Sequence, residues 1–371
     1  MWYNLRESII SLGGEFMKQI KTSFGTTKNG EAATLYTFTN KNGMSVSFTD
    51  YGANIVNICV PDKDGNIRDI ALGFDSVSGY EMNPPGFGSF IGRYANRIGG
   101  AKFSVNGKEY TLEKNDGDNC LHGGFTGYNT LMYEAEIFED EDALGIEFSR
   151  LSPDMEQGFP GNLDVSVTYT LTEDNELVIE YFAVSDKDTI INLTNHSYFN
   201  LAGHDAGAAA AMNMKLKMDC DYFTPTDDGL IPTGELRDVT GTPMDFRTFQ
   251  TIGDRIDADY APLTQAGGYD HNYVLKTKRE EPSLVAELID EASGRKMEVY
   301  TDLPGMQFYA GNFIGKGIKG KGGCTYVKRD GVCFESQFYP NSCNTPDFPS
   351  SALKAGEEFS SATIYRFTIN K

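Results

Sequence analysis

LDVSVTYTLTEDNELVIEYF, residues 163–182, carries an apolar side chain at every second position on both sides of a turn. The apolar residues are Leu163, Val165, Val167, Tyr169 and Leu171 before the turn, and Leu177, Ile179 and Tyr181 after it. Successive strand residues face opposite sides, so each half of the stretch has one apolar face. Asp174 and Asn175 are turn residues between the halves. The stretch therefore predicts an antiparallel β-hairpin with one side in the core.

The same pattern recurs along the chain. Residues 103–112 alternate around Asn106-Gly107, a pair that tolerates the positive φ angles of a type I′ turn. Residues 284–301 alternate around Ser293-Gly294, and residues 364–369 form a further strand-like run. No window of about 11 or more residues keeps a helical period between sensible caps. We therefore expect an all-β, antiparallel architecture with few short helices.

A single domain is the simplest organisation, because no Pro/Ser-rich linker, low-complexity tract or tandem repeat divides the chain. We expect this domain to span residues 17–371, with Met17 beginning the functional chain. Residues 1–16 contain Glu7 and lack a basic region and a small-residue cleavage site, so they do not resemble a signal peptide. We expect them to be an extension outside the fold. The small-residue segment 206–211 is compatible with a short helical turn or a loop.

The composition argues against several classes of partner. A formal net charge of −21 repels nucleic acid and anionic membrane surfaces. No run approaches the roughly 18 apolar residues of a membrane span. The six cysteines include no C-x-x-C pair and favour reduced thiols in the cytoplasm. The four histidines show no H-x-H or H-E-x-x-H pattern, so the sequence gives no support for a metal site.

The segment NLTNHSYFNL, residues 192–201, has a distinctive polar side. In a strand, one face would carry Asn192, Thr194, His196, Tyr198 and Asn200. A solvent face normally carries Lys, Glu or Asp, and none stands here. A neutral surface of hydrogen-bond donors and acceptors suits a polyhydroxylated sugar. We therefore predict that this face lines a carbohydrate site.

Two loop-like segments bring further candidates. IGRYANRIGG, residues 91–100, holds Arg93 and Arg97 between glycines, which predicts a loop or bent strand. A surface role and a functional role are equally compatible with these arginines. NDGDNCLHGG, residues 115–124, presents His122 beside two glycines. Because glycine lets backbone and ligand approach closely, we favour a functional role for His122.

Two strand-like segments bring acidic candidates. GGYDHNYVL, residues 267–275, places Asp270 before an apolar run, where it either caps a turn or serves a site. In GVCFESQFYP, residues 331–340, alternation puts Glu335 among apolar and aromatic neighbours, on the same side as Cys333. Burying a carboxylate is costly and raises its pKa. We therefore interpret Glu335 as a functional residue.

Taken in order, these segments resemble the aldose 1-epimerase (galactose mutarotase) family from about residue 20 to the C-terminus. The resemblance rests on GRYANRI, NCLHGG, NLTNHSYFNL, LIPTGELRDVTGTPMDFR (230–247), GGYDHNYVL, PGMQFYAGN (304–312) and FESQFYPNSCNTPDFPS. It implies a single-domain antiparallel β-supersandwich that interconverts the α and β anomers of free hexoses such as galactose and glucose. It also implies an isomerase that needs no cofactor and no metal.

The resemblance further implies roles for individual residues. The family's general acid falls on His196 and its general base on Glu335. The substrate-holding positions fall on Asn96, Arg97, His122, Asp270 and Gln307. Tyr198, two residues after His196 on the same strand face, is expected to line the pocket. Many members carry His and Asp where this chain has Phe338 and Asn341. Neither position has a catalytic role, so these departures leave the chemistry intact and the sugar preference open.

Three alternatives remain open on the sequence alone. A non-catalytic sugar-binding or sensor domain on the same scaffold would not need both His196 and Glu335. A glycoside hydrolase would use Asp270 and Glu335 as its carboxylate pair. A hexose-6-phosphate mutarotase would carry an arginine cluster for the phosphate, which the quoted segments do not show. A monomer is the expected oligomeric state.

Overall fold

Strands are the predominant secondary structure of the computed structural model, which describes residues 17–277, 279–315 and 317–370. The first strands are β1 (Lys18–Thr26), β2 (Ala32–Thr39), β3 (Ser45–Thr49), β4 (Asn54–Pro61), β5 (Ile67–Asp69), β6 (Ser89–Ile91), β7 (Arg97–Ile98), β8 (Lys102–Val105), β9 (Lys108–Thr111), β10 (Cys120–Leu121), β11 (Glu134–Asp140), β12 (Ala143–Ser152), β13 (Leu163–Thr172), β14 (Glu176–Ser185) and β15 (Thr189–Ile190). The later strands are β16 (Thr194–His196), β17 (Lys215–Met218), β18 (Tyr222–Phe223), β19 (Arg237–Asp238), β20 (Gln250–Thr251), β21 (Asp270–Val274), β22 (Ser283–Ile289), β23 (Arg295–Thr301), β24 (Gly305–Tyr309), β25 (Ile318–Lys319), β26 (Thr325–Tyr326), β27 (Cys333–Gln337), β28 (Ala352–Leu353) and β29 (Glu358–Ile369).

Helices are few and short in the described ranges, as predicted. The α-helices are α1 (Val77–Tyr80), α2 (Gly207–Asn213), α3 (Ile252–Arg255) and α4 (Ala261–Ala266). Single 3₁₀ turns lie at Gly99–Ala101, Tyr128–Thr130, Glu156–Gly158, Lys321–Gly323 and Ser342–Asn344. The segment 206–211, for which the sequence allows a helical turn or a loop, is helical and belongs to α2 and its N-cap. No helix among the described residues is long and apolar enough to span a bilayer. The expected extension, residues 1–16, lies outside the described residues.

The larger sheets of the described chain are antiparallel throughout. One has nine strands in the order β11-β12-β13-β14-β29-β23-β22-β17-β20, with β29 paired to both β14 and β23 near its centre. Two others have five strands each, in the orders β1-β2-β3-β4-β5 and β19-β18-β21-β24-β27. Short pairs accompany them, including β6 with β16 and β7 with β10. This arrangement confirms the predicted all-β antiparallel fold class.

Apolar side chains from these sheets share one core. The opening stretch of the sequence forms β13 and β14, whose pairing closes with Leu171 opposite Leu177. Tyr169 of β13 stacks on Phe48 of β3 with 4.8 Å between ring centroids, which packs a five-stranded sheet on the nine-stranded one. The Tyr365 hydroxyl of β29 donates to the Phe334 carbonyl of β27 at 2.8 Å. Aromatic stacking and buried hydrogen bonds therefore join all three sheets.

The other predicted hairpins are also present. In β8–β9, Asn106 and Gly107 have φ angles of 52° and 76°, the left-handed pair that a type I′ turn requires. Strands β22 and β23 pair across Ser293-Gly294, with a register shift between Leu284 and Ala286.

The prediction of one strand over residues 192–201 is wrong in its extent. Only Thr194–His196 form β16, and the flanking residues make isolated bridges, such as Phe199 with Ala71 and Val332. All ten residues of the segment are buried. The segment therefore threads between sheets, where a polar side chain must find an internal partner.

Candidate functional site

An imidazole and a carboxylate meet in the interior of the protein. The Nε2 atom of His196, at the end of β16, lies 3.6 Å from Oε1 of Glu335, at the centre of β27. Burial lowers the pKa of His196 to about 4. Burial and the nearby Asp270 carboxylate raise the pKa of Glu335 well above its usual range, against the opposing charge of Arg97. These shifts favour the uncharged forms of both groups, and strongly perturbed titratable pairs are typical of catalytic sites.

Strand alternation explains which side of β27 faces His196. Cys333 and Glu335 are two residues apart and so lie on one side of the strand. The Sγ atom of Cys333 is 3.6 Å from Nδ1 of His196, on the opposite side of the ring from the carboxylate. The neighbouring strand β24 places Gln307 directly opposite Glu335 and Tyr309 opposite Cys333. The predicted common side of Cys333 and Glu335 is therefore the side that meets the histidine.

His122 and Asn96 hold each other through their backbones and one ring nitrogen. The Asn96 amide donates to Nδ1 of His122 at 3.1 Å, and the His122 amide donates to the Asn96 carbonyl at 3.1 Å. Both residues adopt left-handed backbone, with φ of 61° and 52°. At the next residue, a Cβ on Gly123 would lie 2.3 Å from the carbonyl oxygen of Gly92, so only glycine permits this close approach.

This contact determines the chemical form of His122. Burial lowers the pKa of His122 well below its usual value, so the ring is neutral. Because Nδ1 accepts a hydrogen bond, the single ring proton sits on Nε2. The His122 ring lies 5.3 Å from the His196 ring, centroid to centroid. His122 therefore presents an N–H donor near the His196–Glu335 pair.

The two arginines of residues 91–100 have different roles. Arg93 is buried and donates to Ser152, to the Pro160 carbonyl and to the Gly161 carbonyl, so it ties loops together. The Nε atom of Arg97 lies 2.7 Å from Oδ2 of Asp116, and its charge acts on His122, Asp270 and Glu335. The surface alternative is wrong for both arginines, because both are buried.

A row of polar side chains runs across the sheet beside Glu335. Asp270, the first residue of β21, accepts a hydrogen bond from Nε2 of Gln307 at 2.7 Å. Gln337 Nε2 in turn lies 3.4 Å from Oε1 of Gln307 and 3.2 Å from Oδ1 of Asn272. Burial raises the pKa of Asp270, which the Arg97 charge and the Gln307 hydrogen bond oppose. Asp270 is therefore held by a strand neighbour and does not cap a turn.

Two tyrosines pack beside His196. The Tyr198 ring lies 5.1 Å and the Tyr309 ring 6.1 Å from the imidazole, centroid to centroid. The Tyr198 hydroxyl donates to the Pro85 carbonyl at 2.7 Å, which fixes the ring against the loop that follows α1. Tyr309 was not singled out from the sequence, although it stands two residues after Gln307 and therefore shares its strand face. The sequence gives no signal for Asp116, because its partner Arg97 lies in a different element, strand β7.

The prediction that the whole polar side of residues 192–201 meets a sugar is wrong. The Asn192 side chain donates to the Ala95 and Phe338 carbonyls and accepts from the Phe338 amide. The Asn200 side chain donates to the Gly207 and Asp330 carbonyls. Both asparagines serve buried backbone that would otherwise lack partners. His196 and Tyr198 are the residues of this side that lie at the site.

All eight sequence-predicted site residues fall in one connected cluster. They are Asn96, Arg97, His122, His196, Tyr198, Asp270, Gln307 and Glu335.

Phe338 and Asn341, the two departures from the family pattern, lie beside this cluster. Phe338 packs against Phe359 and under the Arg279 guanidinium, whereas the Asn341 amide donates to the Arg97 carbonyl.

Three side chains of the cluster lie close enough together to be considered as ligands of one metal ion. His122, His196 and Glu335 offer ligand atoms within 4.8 Å of one another. However, Nδ1 of His122 is engaged by the Asn96 amide and its Nε2 carries the ring proton. A protonated nitrogen has no lone pair for a metal, so this donor set suits hydrogen bonding to a ligand.

Comparison with known proteins assigns the family. The aldose 1-epimerase family matches residues 34–366. The chain belongs to the aldose 1-epimerase family. It is 40% identical to galactose mutarotase of Mus musculus over 94% of this chain and 98% of that protein. It is 37% identical to aldose 1-epimerase of Escherichia coli K12 over 91% of this chain and 96% of that protein. The crystal structure of galactose 1-epimerase from Lactobacillus acidophilus superposes with a TM-score of 0.84 at 28% identity, covering 96% of this chain and all of that one.

Proposed function

We propose that the protein interconverts the α and β anomers of free aldohexoses, galactose and glucose among them, by opening and reclosing the pyranose ring. The observation that carries this proposal is the buried His196–Glu335 pair, with Nε2 3.6 Å from Oε1. The names of the relatives from Mus musculus and Escherichia coli support the same reaction. The substrate is a small sugar, and the reaction uses no cofactor.

The reaction requires one proton to leave the C1 hydroxyl and one to reach the ring oxygen. In this proposal the Glu335 carboxylate accepts the hydroxyl proton while Nε2–H of the His196 imidazolium donates to the ring oxygen. The bond between C1 and the ring oxygen breaks, which leaves an aldehyde at C1 and a hydroxyl at C5. Rotation about the C1–C2 bond presents the other aldehyde face. The reverse proton transfers then close the ring as the opposite anomer.

Burial favours the form of the pair that exists after ring opening. Before the step the pair is ionic, and after it Glu335 is protonated and His196 is neutral. The raised pKa of Glu335 and the pKa of about 4 for His196 both stabilise the neutral form. The site therefore makes Glu335 a stronger base and His196 a stronger acid than either is in water. Each such transfer contributes roughly 10²–10⁴-fold to the rate.

The remaining residues hold the sugar in place. Neutral His122 donates from Nε2 to a sugar oxygen, and the Arg97 guanidinium donates to the ring oxygen and the neighbouring hydroxyls. The carboxylate of Asp270 accepts hydrogen bonds from ring hydroxyls. Gln307 orients Asp270, and Asn96 orients His122. Tyr198 supplies a flat wall next to the imidazole. The six unpaired cysteines fit a reducing compartment, so we place the enzyme in the cytoplasm. We propose that it acts as a monomer.

Polarimetry on freshly dissolved α-galactose and α-glucose tests the proposal. The wild type should accelerate mutarotation, and Glu335→Gln and His196→Asn should each lower kcat by roughly 10²–10⁴-fold while remaining folded. Glu281→Gln, at an exposed glutamate, is the matched control and should keep the wild-type rate. Near-normal rates in either site variant would overturn the roles given to these residues.

The same assays separate the alternatives. Sugar binding without any acceleration of mutarotation would indicate a sensor domain. Release of monosaccharide from a disaccharide would indicate a glycoside hydrolase. Faster reaction with hexose 6-phosphates than with free hexoses would indicate a sugar-phosphate enzyme. A panel of aldoses compared by kcat/KM would then rank the substrates.

A further inference from the structure

The imidazole of His196 lies between two side chains of the same strand. Glu335 Oε1 lies 3.6 Å from Nε2, and Cys333 Sγ lies 3.6 Å from Nδ1. Cys333 is fully buried and packs in the same apolar cluster as Tyr198 and Tyr309. The two-residue spacing on β27 therefore fixes the sulfur and the carboxylate on opposite sides of one ring.

The chemistry proposed for the pair requires the ring hydrogen to stay on Nδ1. When Glu335 is protonated and His196 neutral, Nε2 must carry a lone pair to receive a proton during ring closure. When His196 is an imidazolium, both ring nitrogens carry hydrogen. In both states Nδ1 is a donor and needs an acceptor, because an unpaired buried N–H is costly. Cys333 Sγ is within reach to accept that hydrogen.

We propose that Cys333 is a positioning residue that accepts a hydrogen bond from Nδ1–H of His196 and so keeps Nε2 as the nitrogen that exchanges protons. This inference rests on the proposed function. Burial raises the pKa of the Cys333 thiol well above its usual value, so the sulfur stays neutral and does not form an ion pair with the imidazolium. The other titratable side chains around the ring are Glu335, His122, Tyr198 and Tyr309.

The tautomer can be measured without an activity assay. The nitrogen-15 chemical shifts of a neutral imidazole distinguish a protonated nitrogen from one with a lone pair. In protein labelled at its four histidines, the signals lost in His196→Asn identify His196. We expect the wild-type ring at pH 7 to be protonated at Nδ1. In Cys333→Val, which keeps a buried apolar side chain but offers no acceptor, we expect the proton to shift towards Nε2.

Kinetics test whether the tautomer matters. Cys333→Val should lower kcat about tenfold, the equivalent of one ordinary hydrogen bond, with KM changed less than about twofold. Cys333→Ser supplies a hydroxyl oxygen that also accepts from Nδ1–H and should recover much of the lost kcat. Cys220→Ala, at a buried cysteine of the main core, is the control and should leave kcat unchanged.

The outcomes distinguish this inference from the proposed function. If wild-type protein fails to accelerate mutarotation but His196 is protonated at Nδ1 and shifts in Cys333→Val, the proposed function fails and the positioning contact stands. If wild-type protein is active and its neutral His196 is protonated at Nε2, the inference about Cys333 is overturned. An unchanged kcat in a folded Cys333→Val would overturn it equally.

Discussion

The carboxylate of Glu335 faces Nε2 of His196 at 3.6 Å through Oε1, while its other oxygen, Oε2, has no hydrogen-bond partner within the described residues. A buried carboxylate with one unpaired oxygen destabilises the folded protein. The same oxygen is free to receive the hydrogen of a sugar hydroxyl. The unpaired oxygen therefore lowers the stability of the folded protein but makes Glu335 available to react with a sugar hydroxyl.

Replacing Glu335 should stabilise the fold in a pH-dependent way. The folded-state pKa of Glu335 is raised above the usual 4.5, so the folded protein binds this proton more tightly than the unfolded chain. The wild type consequently loses stability as pH rises above about 4.5, until the folded-state pKa is passed. Glu335→Gln does not titrate, so its stability relative to the wild type should increase by up to about 1.4 kcal/mol per pH unit over that window. Urea unfolding at pH 5 and pH 8 measures the difference, and a gap that does not change with pH would contradict it.

Loosening Arg97 should weaken substrate binding more than it slows the chemical step. Asp116 holds Nε of Arg97 at 2.7 Å, whereas Asp118 pairs with the exposed Lys114 in the same loop. We expect Asp116→Asn to raise KM about three- to tenfold and to change kcat less than about threefold, because the ion pair that positions Arg97 becomes a weaker hydrogen bond to a neutral amide oxygen. Asp118→Asn is the matched control and should leave both constants unchanged. A larger fall in kcat than rise in KM would show that Asp116 acts in the chemical step.

Removing the His122 donor should reduce kcat/KM. Asn tolerates the left-handed backbone at this position, but its shorter side chain does not reach the place of Nε2–H. We expect His122→Asn to lower kcat/KM roughly 10–100-fold, the range of one or two lost hydrogen bonds in a buried site. His204→Asn, at a histidine bonded to Tyr326 outside the site, should retain the wild-type value. Equal activities for the two variants would exclude His122 from the binding site.

Restoring the common family residue at either of the two departures should leave turnover unchanged. Asn341 Oδ1 accepts from the Gly99 amide at 3.0 Å and from the Asn344 amide group at 2.9 Å, and a carboxylate can accept the same bonds. Asn341→Asp should therefore keep kcat within about twofold of the wild type.

Phe338→His, unlike Asn341→Asp, should destabilise the fold, because Phe338 is buried against Phe359. Placing a polar ring there should lower the free energy of unfolding by about 1–3 kcal/mol without changing kcat. Chemical denaturation and polarimetry on both variants check these expectations. A marked change in the relative rates on different aldoses would assign these positions to sugar selection instead.

The sequence by itself was sufficient for the fold class and for most of the candidate site residues. The alternation in residues 163–182 and the Asn106-Gly107 turn are local patterns, and both hairpins form where those patterns stand. Alternation also placed Cys333 and Glu335 on one side of a strand, which is the side that meets His196. Strands and tight turns depend on residues that are close together in the chain, so the sequence pattern alone can predict them.

The tertiary structure alone decided which polar groups are free. Asn192 and His196 belong to the same apparent polar face, yet Asn192 binds backbone while His196 meets a carboxylate from a distant strand. Arg93 and Arg97 look alike in sequence, yet one ties loops together and the other pairs with Asp116 at the site. Whether a polar side chain can meet a ligand depends on which buried carbonyls and charges surround it. Those neighbours come from strands far apart in the chain, and only the packing of the sheets brings them together.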